Sequence, residues 1–195
     1  MAALSFPAEL LVQAQGQGLA IKLAIFDVDG VLTDGRIYIG GAGEDVKAFS
    51  TLDGHGLKLL QAGGITPVII TGRDSPGVRR RVADLGLTHA VHGAKDKLAA
   101  ATPLLAEFGI GWGEVAAIGD DWPDLPLMSR AGFAAAPPGA HAEVRAVAHY
   151  VTQAPAGYGA AREFCDLLLM AAGRYAGLLA AHHDTLDSTS TGGKA

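Results

Sequence analysis

The sequence predicts an α/β fold of the Rossmann-like kind, three layers (α/β/α) around a central parallel sheet, with a small β-hairpin insert. Two observations carry this. Short apolar runs of strand length recur along the chain, separated by segments of helix length, the signature of βαβ units with right-handed crossovers. Three of those runs end in polar residues: Asp27 and Asp29 after the first, Thr71 after another, Asp120 and Asp121 after a later one. Ligands of open parallel sheets collect at the carboxyl ends of strands, and core packing gives no reason for polar groups to repeat there.

Taken in order, 21–26 (IKLAIF) is a buried strand stopped by Asp27. Residues 36–39 and 46–49 form the hairpin around the glycine-rich 40–43. A helix over 56–62 stops at Gly63-Gly64. Residues 66–71 (TPVIIT) are a second buried strand. A helix over 75–85 has Ser75 as N-cap, Pro76 in its first turn and Gly86 at its end. A short strand at 89–92 and a helix over 95–108 follow. Strand 115–118 leads into Gly119-Asp120-Asp121, then a short helix over 125–131. Strands at 133–136 and 150–151 and a helix over 159–173 close the domain. Residues 1–19 read as a lead-in with a flexible stretch at 13–18, residues 20–177 as one domain, and residues 178–195 as a disordered tail.

The bulk numbers narrow the function classes. At 195 residues, 49% hydrophobic and 18% charged, the chain is long enough for one well-filled core. A net charge of −5 offers no footprint for nucleic acid; Arg79-Arg80-Arg81 is a solvated helix face. No apolar run is long enough to span a membrane, and the N-terminus lacks the basic start of a signal peptide. The single cysteine, Cys165, sits in an apolar run as a structural thiol. These features fit a cytoplasmic enzyme.

The acidic residues carry the chemistry. If the strands bring Asp27, Asp29, Asp120, Asp121 and Asp124 together, their mutual repulsion calls for a hard cation, and Mg²⁺ with phosphate oxygens suits such a set. An EF-hand does not fit, because 27–34 (DVDGVLTD) lacks its ligand ladder. A carboxylate beside a metal is also a nucleophile for phosphorus. Asp29, two residues on, is placed to protonate the leaving oxygen and then activate water. Thr71 (hydroxyl and backbone N–H), Lys97 and the amides of the Asp29-Gly30-Val31 turn are donors for the transferring phosphoryl group.

These residues carry a family resemblance. Residues 27–33 (DVDGVLT) resemble the first motif of the haloacid dehalogenase-like phosphatases. Ile70-Thr71-Gly72-Arg73 resembles the second, Lys97 falls where the third belongs, and 119–124 (GDDWPD) resembles the fourth. The resemblance implies Asp27 as nucleophile, Asp29 as general acid/base, and Thr71 and Lys97 as their partners at the phosphoryl group. It implies a metal held by Asp27, Asp120 and the backbone carbonyl of Asp29, with Asp121 or Asp124 orienting metal-bound water. Gly30, Thr71, Gly72, Arg73 and Lys97 become substrate-binding positions.

A narrower resemblance joins Gly35–Ile39, the hairpin, 52–56 (LDGHG), 157–163 (GYGAARE) and 165–169 (CDLLL) to the phosphatases of 3-deoxy-D-manno-octulosonate 8-phosphate, a precursor of bacterial lipopolysaccharide. About forty residues separate Asp27 from Thr71 and about one βα unit separates Thr71 from Lys97. Neither gap holds a cap domain of independent size. The resemblance therefore implies a homotetramer whose hairpins form a barrel and whose subunits close one another's sites over a sugar-acid phosphate, met by Arg73 and residues near Asp53–His55. Tyr158 departs from the family pattern, which has an arginine there; Arg162 is the candidate replacement. Two alternatives remain: another sugar-acid phosphate, such as a nonulosonate 9-phosphate, as substrate, or a non-catalytic oligomerisation module like that appended to CMP-sialate synthetases.

Overall fold

Strand β1 (Leu23–Phe26) lies at the centre of the molecule, paired in parallel with β4 (Thr66–Ile70) on one side and β6 (Val115–Ile118) on the other. Its four side chains are buried and alternate between two cores. Ala24 and Phe26 join the core on one face, and Leu23 and Ile25 join the core on the other. That is why this strand reads as a continuous apolar run: a parallel strand covered on both faces has no polar side. The computed structural model describes residues 4–16, 20–41 and 43–190.

The sheet is completed by β5 (His89–Val91), β7 (Phe133–Ala136) and β8 (Tyr150–Val151), in the order β5-β4-β1-β6-β7-β8, all parallel. The chain builds outward from β1 to β4 and β5, then crosses back to lay β6, β7 and β8 on the other side. The reversal opens a crevice beyond the carboxyl ends of β1, β4 and β6. One face of the sheet carries α2 (Thr51–Ala62), α3 (Pro76–Asp84) and α7 (Ala160–Ala171); the other carries α4 (Lys97–Phe108), α5 (Leu125–Met128) and α6 (Ala142–Val147). The three-layer architecture is as expected, with α6 as an addition. No single helix among the described residues is long and apolar enough to cross a membrane.

Four local expectations are corrected. The hairpin strands are β2 (Tyr38–Gly40) and β3 (Gly43–Val46), so residues 40 and 43, taken as turn, pair with each other. Helix α2 begins at Thr51, five residues before the expected start, because Ser50 caps it by accepting from the amides of Leu52 and Asp53. Gly54 and Gly56 are therefore helix-interior residues. They are there for close approach: a Cβ on Gly56 would stand 3.1 Å from the Cα of Arg162 in α7.

The ends differ as well. The lead-in contains a helix, α1 (Ala8–Gln13), whose Leu10 is buried in the first core. The tail expected from residue 178 is helical through Ser190 as α8 (Tyr175–Ser190), with Tyr175 and Leu178 packed on the same core. Small polar residues suggested disorder; two apolar anchors at helical spacing override that. Parts of the expected lead-in and tail, residues 1–3, 17–19 and 191–195, and Ala42 of the hairpin loop lie outside the described residues.

Candidate active site

The polar residues at the three strand ends meet in one open cavity of about 310 Å³. Asp27 follows β1 directly, and its amide donates to Ile118 O at 3.2 Å, which fixes it beside the end of β6. Thr71 follows β4; its amide is spent on Val91 O at 3.0 Å, so only its hydroxyl, which accepts from the Arg73 amide at 3.4 Å, faces other duties. That corrects the expectation of two donors from Thr71. Lys97 is the first residue of α4, set by Asp96, whose side chain caps the helix through the Ala99 amide at 2.9 Å.

The close approach of the β1 and β6 loops depends on glycine. Gly30 has φ +93°, in the left-handed region, and a Cβ there would lie 2.1 Å from an Asp120 carboxylate oxygen. No other residue satisfies both constraints. Gly119 plays the same spatial part for Asp124, whose Cβ would be 2.4 Å away.

Charge is unbalanced at the centre. Lys97 Nζ lies 2.7 Å from Asp27 Oδ1 and 2.6 Å from Asp124 Oδ1. Asp27, Asp120 and Asp124 each offer an oxygen within 4.8 Å of the other two. Three carboxylates thus share one ammonium. Burial, and then the charge of Asp124, push the Asp27 carboxyl up to about 6 against the pull of Lys97. Burial and the charges of Asp27 and Asp124 push Asp120 up to about 8. Burial opposes the charge on Lys97, but Asp27 and Asp124 outweigh it and hold its ammonium above the usual range. An oxygen-only donor set this crowded fits a hard divalent cation.

The remaining residues divide. Asp29, Gly72 and Arg73 line the same cavity. Asp124 is buried and accepts from the amides of Asp120 (3.2 Å) and Asp121 (3.4 Å), whereas exposed Asp121 caps the short 3-10 turn Trp122–Asp124. Both line the cavity, and of the two it is Asp124 that joins Asp27 and Asp120 in the acidic cluster. Asp53 and His55 do not reach the cavity. Asp53 is buried in α2 and caps α7, accepting from Gly159 N (3.2 Å) and Arg162 N (2.8 Å). Arg162 pairs with Asp166 at 2.9 Å and, with His55, lines a separate cavity beneath α8, so it cannot replace the charge missing at Tyr158 within this chain. Trp122 is exposed and donates through Nε1 to His141 Nδ1 at 3.0 Å.

One residue at the site escaped the sequence. Lys47, just past β3, pairs with Asp29. A lysine at the foot of a hairpin carries no local signal; its role appears only once the hairpin folds back over the β1 loop.

Comparisons with known proteins point the same way. A family model described as haloacid dehalogenase-like hydrolase matches residues 89–163. The chain is 46% identical over 154 residues to the 3-deoxy-D-manno-octulosonate 8-phosphate phosphatase KdsC of Escherichia coli K12, covering 79% of this chain and 82% of that protein. Among solved structures, a probable YrbI family phosphatase from Pseudomonas syringae superposes with a TM-score of 0.84 at 47% identity, covering 92% of this chain and 98% of that one. The 3-deoxy-D-manno-octulosonate 8-phosphate phosphatase of Moraxella catarrhalis, solved with magnesium, phosphate and KDO, gives a TM-score of 0.84 at 40% identity, covering 91% and 99%.

Proposed function

From the premise that this chain belongs to the haloacid dehalogenase-like phosphatases, in the KdsC family, we propose that it hydrolyses 3-deoxy-D-manno-octulosonate 8-phosphate to the free sugar acid and phosphate, for lipopolysaccharide synthesis. The observation that carries the chemistry is the Asp27, Asp120 and Asp124 cluster around Lys97 at the crevice of the sheet.

Asp27 is the nucleophile. Its carboxylate, at about 6, is ionised at neutral pH. Lys97 holds Oδ1, leaving the other oxygen to attack phosphorus. As the new P–O bond forms, the bond to the sugar oxygen breaks, and Asp29 gives that oxygen a proton. The same carboxylate then takes a proton from water as the water oxygen bonds phosphorus and the Asp27 ester breaks. Thr71 Oγ1, Lys97 and the Arg73 side chain are the donors for phosphoryl and substrate oxygens. In the β1 loop the Val31 amide is taken by Val28 O, which leaves the amides of Asp29 and Gly30. Mg²⁺, held by Asp27, Asp120 and the Asp29 carbonyl, with Asp124 supporting it, would neutralise charge on the transferring group.

The hairpin carries exposed Ile37, Tyr38, Ile39 and Val46. Side chains of this kind on a short insert beside an uncapped cavity support a homotetramer joined through the hairpins. The catalytic unit is residues 20–177.

The test is phosphate release by purified protein with excess Mg²⁺, comparing 3-deoxy-D-manno-octulosonate 8-phosphate with a nonulosonate 9-phosphate, hexose phosphates and an aryl phosphate. A preference for the octulosonate ester, abolished by EDTA, is expected. Preference for another ester would move the substrate and make Tyr158 the first position to change. No turnover of any ester would overturn the enzyme reading in favour of an assembly module.

A further inference from the structure

Asp29 sits between two cations of different character. Lys47 reaches it from the foot of the hairpin, and its side chain has 0% exposure. Its ammonium donates to Asp29 Oδ1. Arg73 approaches the other oxygen, Oδ2, at 3.9 Å from the cavity side, with a side chain 48% exposed. One oxygen is thus held from within the protein and the other is turned to the open site. The Lys47 stem runs beside the first turn of α3, where a Cβ placed on Gly77 would stand 3.8 Å from the Lys47 Cβ.

A proton donor works only if its oxygen is aimed at the atom it serves, and a carboxylate on a short loop rotates unless something grips it. A buried ammonium grips well because the medium around it screens little, whereas a half-exposed guanidinium at 3.9 Å is a loose neighbour. We propose that Lys47 is a positioning residue: it anchors Oδ1 of Asp29 so that Oδ2 is the oxygen that hands its proton to the departing sugar oxygen and later takes one from water. The proposal rests on the assignment of Asp29 as the acid/base. In it, the hairpin is part of the catalytic apparatus as well as a surface for assembly.

A proton is needed most by a poor leaving group, so ester type separates positioning from mere support. The variants are K47M, K47R, D29N and K47M/D29N, measured with saturating Mg²⁺. The readouts are kcat and KM on the octulosonate 8-phosphate and the burst of aryl oxide from p-nitrophenyl phosphate, alongside thermal unfolding. K47M is expected to lower kcat on the sugar ester by about 10- to 100-fold, with KM within about threefold, and the aryl burst far less. K47R should restore most of kcat. In the D29N background, K47M should cost nothing further. A rise in KM at unchanged kcat would overturn the proposal by making Lys47 a substrate ligand. Equal losses on both esters, or a K47M loss that multiplies the D29N loss, would overturn it by making Lys47 a structural cation. If K47M fails to fold, K47Q serves in the same cycle. A wild-type protein inert on every ester would overturn the phosphatase reading and this proposal together; the other failures overturn only this one.

Discussion

Two groups of acids, one where α2 meets α7 and one at the carboxyl ends of the strands, have opposite fates. Asp53 and Asp166 are both buried, and burial raises both above the usual carboxylate range. Yet each is provided for: Asp53 takes the amides of Gly159 and Arg162, and Asp166 takes the Arg162 guanidinium. At the strand ends the balance differs: Asp124 takes Lys97 and the amides of Asp120 and Asp121, but Asp27 and Asp120 crowd against it, and the three carboxylates share one ammonium beside an open cavity. A buried acid whose oxygens are fully used holds helices together. A cluster left short of positive charge is poised to take a cation and a phosphoryl group. Burial and a raised pKa alone do not distinguish the two.

The comparison can be broken by substitution, and the largest effect belongs to the open cluster. Asp27→Asn should reduce phosphate release by at least about a thousandfold while the protein stays folded, because the nucleophile is lost and a buried charge removed. Retention of substantial turnover with clean, folded protein would remove Asp27 from the role of nucleophile.

Asp53→Ala should do the reverse. Two α7 amides lose their acceptor, at a cost of about 2 kcal/mol, so thermal unfolding should fall by roughly 4–8 °C with kcat nearly unchanged at lower temperature. A kcat loss without a stability loss would return Asp53 to the substrate side.

Metal and pH sharpen the contrast. Asp27 and Asp120 have folded-state values above their unfolded ones, at about 6 and about 8. Their contribution to stability is therefore complete below about pH 4 and is lost as pH rises through those values. A divalent cation replaces the missing protons. Excess Mg²⁺ should raise the unfolding temperature little at pH 5 and by several degrees at pH 8.5. A rise that is the same at both pH values would break the link between these carboxylates and the metal.

The smallest effect on the chemistry is expected at the hairpin. If the hairpins join a tetramer as proposed, Ile39→Glu with Val46→Glu should give smaller species in light scattering, with a higher KM. A monodisperse tetramer in the double variant would remove the hairpin from the interface.

Much of this was legible along the chain. The β1, β4 and β6 runs are strands with both faces covered, so their apolar character is local and plain, and the residues that follow them are polar for a reason that packing does not supply. Boundaries were less legible. The start of α2 was hidden by Gly54 and Gly56, which look like breakers but serve a helix packed on α7. Tyr175 and Leu178 of α8 gave no sign of the core they would meet.

By itself, the sequence determined the fold class and the order of the strand-end residues, because hydrophobic period and chain direction are written in neighbouring positions. Only the tertiary structure decided the rest. It placed Asp124 in the cluster with Asp27 and Asp120, moved Asp53 and Arg162 away from the cavity, and brought Lys47 to Asp29. These outcomes depend on which loop lies against which. A carboxylate's role is set by the donors around it, and the donors of Asp53 stand 106 and 109 residues away along the chain.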